Sequence, residues 1–235
     1  MRAVLALALS VTTAGYTCVA RFGDPIGPSI QGHDGDTPCI GALSGTFDNV
    51  TVPFGASCTL QHSTIRGNLR ALEDAQLYVL GTLVHGNIQG DRARVVQVVG
   101  GQVDGDIQIL AGTSPGALGA AVTGGTVVTF GNIQIQQMRT GRILISDAHV
   151  NTGNIQVTEN VVGDRLEILR NFSGANLQVF GNSGAGPKTV AGNTVALSLQ
   201  CQGNDPPFTG QANTARAAEG QCRDAIALST PQVRR

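Results

Sequence analysis

The stretch Gly86-Asn87-Ile88-Gln89 returns unaltered at Gly131–Gln134 and again at Gly153–Gln156. Gly105-Asp106-Ile107-Gln108 differs from it by one residue, and Gly67-Asn68-Leu69-Arg70 and Ala175-Asn176-Leu177-Gln178 are looser copies. With the Ile or Leu as anchor, the series reads Leu69, Ile88, Ile107, Ile133, Ile155 and Leu177. It extends backward to Val50 and forward to Leu199, with spacings of 19, 19, 19, 26, 22, 22 and 22 residues. A period near 20 residues marks a solenoid. The one long interval contains Ala111–Gly119 (AGTSPGALG), whose Gly and Pro read as an insertion between strands.

Other positions keep the same beat. Ile65, Val84, Val103 and Val195 stand four residues before their anchors; Val128, Val150 and Phe172 stand five before theirs. Midway through a period come apolar pairs two apart: Leu77/Val79, Val96/Val98, Ile143/Ile145 and Leu166/Ile168. Each such pair is the inward face of a short strand. No coil can bury that face alone, so coils must stack at ~4.8 Å to share a Val/Ile/Leu core. Parallel strands joined this way turn right-handed by the crossover rule. The expectation is an all-β protein: a right-handed parallel β-helix, or β-solenoid, of about eight coils over residues 38–224.

Within GNIQ, the Gly is expected to allow a corner with positive φ. The next residue stacks as Asn49, Asn68, Asn87, Asp106, Asn132, Asn154 and Asn176, a structural amide ladder. Ile or Leu enters the core. The Gln then faces outward, giving a file of Gln89, Gln108, Gln134, Gln156, Gln178 and Gln200. That file either solvates a flat face or forms a binding face for a sugar or a protein partner.

Composition agrees with many short strands. Gly is 32 of 235 residues, about twice the usual ~7%, and Trp is absent. A formal charge of −1 gives no electrostatic footprint for nucleic acid. Met1-Arg2, the apolar run Ala3–Leu9 and the small residues after it have the form of a secretory signal peptide over residues 1–20. The run is too short for a transmembrane segment, which needs ~20 residues. Lipidation of Cys18 is the competing idea, and bulky Tyr16 fits that motif poorly. A Pro/Gly-rich lead-in (21–37) would precede the solenoid, and a tail (225–235) would follow it. Removing the leader leaves four cysteines, as suits an oxidising compartment. Cys39 and Cys58 lie 19 apart and Cys201 and Cys222 lie 21 apart, each about one coil. Residues one coil apart sit within the ~4.4–6.8 Å Cα window of a disulfide, so each pair should staple one end.

The run Gly45–Leu60 (GTFDNVTVPFGASCTL), the repeated GNIQ and the segment Leu199–Cys222 resemble a group of secreted bacterial parallel β-helix proteins. The similarity covers about residues 38–222. The repeat also distantly resembles that of bactofilins, cytoplasmic polymer-forming β-helices, from which the leader and the cysteines depart. The first resemblance implies a fold and an extracellular compartment rather than an activity.

Polysaccharide lyases use this fold with carboxylates gathered on one strand face, often with calcium. Here Glu73 and Asp74 align with Arg92 and Ala93, and Glu159 aligns with Gln137 and Gly181, so no acid pair forms. Asp104 and Asp106 read as a turn and a ladder position. His62, His85 and His149 read as solvated corner residues without an acid partner in register. No catalytic residue, metal ligand or cofactor is expected. Gly32–Asp36 (GHDGD) reads as a turn before the solenoid, and the Thr residues keep no regular file of the kind ice binding needs. The expectation is a secreted, non-enzymatic structural or interaction protein. Its partners would be itself or a cell-surface polysaccharide. The alternative is a carbohydrate-active or carbohydrate-binding β-helix of the lyase type.

Overall fold

A computed structural model describes residues 36–225. The signal peptide, Cys18, most of the lead-in and nearly all of the tail lie outside the described residues. The chain forms a parallel β-solenoid of eight coils, one for each anchor from Val50 to Leu199. Every strand pairing is parallel. Ahead of the first coil, Asp36–Pro38 pairs with Asn49–Thr51, so the stack takes in Asp36 and Thr37. After the last coil, Ala217–Gly220 pairs with Ser198–Cys201 and a single 3-10 turn follows at Arg223–Ala225.

Each coil has three faces. The coil of Ile88 shows them plainly: Ile88–Asp91 forms the first face, and one long strand, Val95–Val103, bends to form the second and third. Alternation sorts the side chains. On the first face Ile107, Ile133 and Ile155 are adjacent rungs of a fully buried file, while Gln108, Gln134 and Gln156 point outward between them. On the second face Leu77 and Val79 stack on Val96 and Val98. That file continues through Ala120 and Val122 to Ile143/Ile145 and Leu166/Ile168. Ladder bonds satisfy the backbone, and the core is one continuous column, apolar except at points such as Ser173 and Lys188 in the inward files.

Three local expectations need correction. The GNIQ glycines do not have positive φ. A Cβ at Gly86 would strike the carbonyl of Gly67, one at Gly131 that of Gly105, and one at Gly153 that of Gly131. These glycines permit close approach between coils. The left-handed positions belong to the other two corners, as Asp74, Arg92, Ala111, Gln137 and Glu159 at one and Asp147 and Arg170 at the other. Phe172 is not a core residue. Ser173 pairs with Val150 and Val195 in the inward file, and its hydroxyl donates to the carbonyls of Gly153 and Asn176. Phe172 faces out and stacks on His149, ring centroids 4.4 Å apart. Finally, Ala111–Gly119 is no simple loop. Thr113–Thr123 is one strand whose register shifts twice between Ser114 and Ala120, so the extra residues are absorbed as bulges.

Both staples join neighbouring coils: Cys39–Cys58 with Cα atoms 5.5 Å apart, and Cys201–Cys222 at 5.2 Å.

Candidate functional site

The outward residues of the first face form the most regular surface of the molecule. Gln134 Nε2 donates to Gln156 Oε1 at 2.9 Å, Gln156 to Gln178 at 2.7 Å and Gln178 to Gln200 at 2.9 Å. Gln200 continues the chain to Glu219 Oε2 at 3.2 Å. Gln89 and Gln108 occupy the same file in register. Above them the file holds Arg70 and Thr51, so it becomes pure amide only from Gln89 onward. A second outward file beside it runs Asp91, Leu110, Gln136, Thr158, Phe180 and Gln202. From Gln134 to Gln202 neither file carries a charge.

A carboxamide has two N–H donors and an oxygen with two lone pairs. Side-by-side bonding uses one donor and one lone pair of Gln156, Gln178 and Gln200, and one donor of Gln134, which heads the run. The other donor and lone pair remain for solvent or a ligand, fixed in direction by the neighbours on either side. The array can therefore both give and receive hydrogen bonds at each step along the axis.

Next to it, at the corner, lies the expected ladder. The backbone N–H of Asn68, Asn87, Asp106, Asn132, Asn154 and Asn176 each donates to the side-chain Oδ1 of the preceding rung, at 2.7–3.0 Å. Its partners are internal, so it holds the corner and offers little to a ligand.

Two further ladders escaped sequence reasoning. Asn160, Asn182 and Asn204 stack at one of the remaining corners and end on Gln221 Oε1. Asn171, Asn193 and Asn213 stack at the other and end on the carbonyl of Ala225. All six are buried. Each also donates through Nδ2 to a core-strand carbonyl, such as Ile135 for Asn160 and Ile145 for Asn171. Their carboxamides point opposite to those of the first ladder: Asn160 donates to the following rung, whereas Asn154 donates to the preceding one. Their signal was present as spacings of 22 and 20 residues, but the upstream rungs are Met138 and Ala148.

The titratable groups are dispersed. His85 does have an acid partner, contrary to expectation. Its Nδ1 lies 2.7 Å from Asp104 Oδ2, one coil away. Gln102 Nε2 and Thr129 Oγ1 also donate to this carboxylate, at 2.7 and 3.2 Å. The Gln102 bond first, and then the His85 ring, hold the Asp104 carboxyl below the usual carboxylate range. A carboxylate so stabilised is a poor general acid, and no second acid stands beside it in the file, where its neighbours are His85 and Thr129. His62 sits at a left-handed corner position. Glu159 accepts from Gln137 Nε2 at 2.9 Å, and Arg92 lies 3.5 Å from Glu73. Among the described residues no three His, Cys, Asp or Glu side chains gather as a metal site. Lys188 stands in the inward file below Leu166, buried, with its ammonium donating to the carbonyls of Gly184, Gly186 and Asp205. Desolvation lowers its pKa, and its bonds close the C-terminal end of the core.

Comparison of this chain with protein-family models, with curated proteins and with solved structures finds no match.

Proposed function

We propose that the protein is a non-enzymatic interaction rod of the cell exterior that lays its amide face along an extended, neutral, hydroxyl-rich surface polymer. The observation that carries this reading is the run Gln134–Gln156–Gln178–Gln200, bonded side by side along the stretch of the face where neither outward file carries a charge. Hydroxyl groups donate and accept equally, which is what the free half of each carboxamide offers. An anionic polymer would instead call for Arg or Lys in these files, and only Arg70 at the far end supplies one.

Area separates this occupant from a protein partner. A face four residues wide at ~3.3 Å each, eight coils long at ~4.8 Å, presents about 500 Å². A standard protein interface takes about 800 Å² from each partner. A single polymer chain along the axis needs far less width. The two stapled ends and the resemblance of the Cys-containing segments to secreted β-helix proteins support the extracellular setting.

The test is a glycan array probed with the purified, oxidised protein, beside sedimentation velocity. Retention of neutral polysaccharides by the wild type, lost when Gln134, Gln156 and Gln178 are together changed to Ala while circular dichroism is unchanged, is the expected result. Binding confined to polyanions, or unaffected by the triple substitution, would overturn it.

A further inference from the structure

The two outward files of the first face do not end together. At the last coil, Cys201 is followed by Gln202, Gly203 and then Asn204, whose partner in the next turn of chain is Gln221. Below Cys201 stands Gly220, and Gln221 follows it directly. The final turn is therefore two residues shorter at this corner, and among the described residues no strand residue pairs with Gln202 from below. Gly220 adds no side chain of its own; a Cβ there would strike the carbonyl of Cys201. The result is an open depression of about 320 Å³ at the foot of the amide face, lined by Phe180, Gln200, Cys201, Gln202, Glu219 and Gly220.

Its chemistry differs from the rest of the face. Phe180 is the one aromatic ring among the outward side chains of the first-face strands from Gln89 to Gln202. It is half-buried, with the Gln202 amide next to it in register. Glu219 is the first carboxylate below the uncharged run, and Gln200 Nε2 holds it at 3.2 Å. An aromatic surface, two amides and a carboxyl acceptor around a space of this size match one sugar ring. The ring's C–H face would lie on Phe180 and adjacent hydroxyls would donate to Glu219. The volume falls at the small end of the range for small-molecule sites, consistent with a single monosaccharide unit.

We infer that this depression is a terminal subsite that takes one pyranose residue of the polymer, with Phe180 as its floor and Glu219 as its hydroxyl acceptor. The inference rests on the glycan reading of the amide face, and it gives the rod a polarity: the polymer is gripped at the C-terminal end and only tracked along the remaining coils.

The experiment is titration of the oxidised protein with neutral hexasaccharides of β-1,4-glucose, α-1,4-glucose and β-1,4-N-acetylglucosamine, followed by calorimetry and by side-chain amide NMR. Phe180→Ala and Glu219→Gln are each expected to weaken binding about tenfold, the scale of one lost aromatic or charge-assisted contact. The Gln200 and Gln202 side-chain amide signals should shift with ligand before those of Gln89 and Gln108. Phe180→Leu, which keeps a large apolar side chain, should also weaken binding while circular dichroism and the melting temperature stay as in the wild type, which separates loss of the ring from a folding defect. Wild-type binding with both variants unchanged, or shifts spread evenly over the whole Gln file, would overturn the subsite and leave the amide face standing. Absence of binding to all three oligosaccharides would overturn the subsite and the face together.

Discussion

Among the ladder rungs from Asn49 to Asn176, Asp106 is the one carboxylate, and it has no Nδ2 to donate. Asn132, Asn154 and Asn176 each give two hydrogen bonds to the rung before them, one from the backbone and one from Nδ2. Asp106 gives Asn87 Oδ1 its backbone N–H alone. Asp106→Asn supplies the absent donor, and one added hydrogen bond should stabilise the fold by about 0.5–1.5 kcal/mol. Urea melts of the two proteins check this, and an unchanged midpoint would mean that the Nδ2 bonds contribute nothing. Asp104, one corner position away, sets an expectation in pH. Because its folded-state pKa is depressed, the cluster with Gln102 and His85 stabilises the fold above the ordinary carboxylate value of 3.8 and ceases to do so as pH falls below it. The group is partly exposed and screened by solvent, so the effect is small. Asp104→Asn should flatten the acid limb of a plot of melting temperature against pH; an identical limb would assign it to other carboxyls.

At the scale of the strand, the alternation on the first face separates neighbours sharply. Ile133 is wholly buried between Ile107 and Ile155, while Gln134 beside it is only half-covered. Ile133→Asp places a charge against apolar neighbours on both sides and should cost several kcal/mol. Gln134→Asp loses one surface hydrogen bond and should cost about 0.5–1 kcal/mol. Yield of folded protein and thermal melts distinguish them, and equal tolerance would refute the register. This register was legible because a side chain that must face the core once per coil leaves an apolar residue at a fixed period, and the anchors from Val50 to Leu199 all do so. The Gln file and the first Asn ladder were legible as its immediate neighbours. The other corners were not. Asn160 and Asn171 begin their ladders only after rungs of Met138 and Ala148, because a corner can be filled by an apolar side chain as well as by an amide. Nor did the sequence distinguish a glycine chosen for its φ from one chosen because the next coil's backbone leaves no room, as at Gly86 and Gly131. The His85–Asp104 pair keeps the same 19-residue interval as Cys39 and Cys58. The two residues are unlike, however, and a search for repeated or like-charged positions passes over them. The depression at Phe180 arises from a shortened turn, and a shortening at the last coil has no later repeat to reveal it.

At the scale of the whole solenoid, the disulfides staple the two ends and the number of coils between them sets the length. Each disulfide closes a segment of 19 or 21 residues, and removing a constraint on a loop of that size costs about 3 kcal/mol. Cys39→Ser/Cys58→Ser and Cys201→Ser/Cys222→Ser should each lower the urea midpoint with peptide mapping of the parent showing both local bridges; a Cys39–Cys222 bridge would refute the stacking. Between the ends the arrangement has a different meaning. Ile155 stands opposite Ile133 on one side and Leu177 on the other, each 22 residues away, and the outward file, the anchor file and the first Asn ladder all repeat with that step. Residues 155–176 are thus an interchangeable unit: excising them joins Asn154 to Leu177 and sets Gln178 beneath Gln134 as Gln156 was. The expected product folds, keeps both staples and is shorter by one step of ~4.8 Å, as X-ray scattering and circular dichroism can verify. Loss of the β-sheet signal would show that the coils are not equivalent. Reach, for this chain, comes in whole increments, and an in-frame duplication or loss of 22 codons changes how far it extends without changing what either end does.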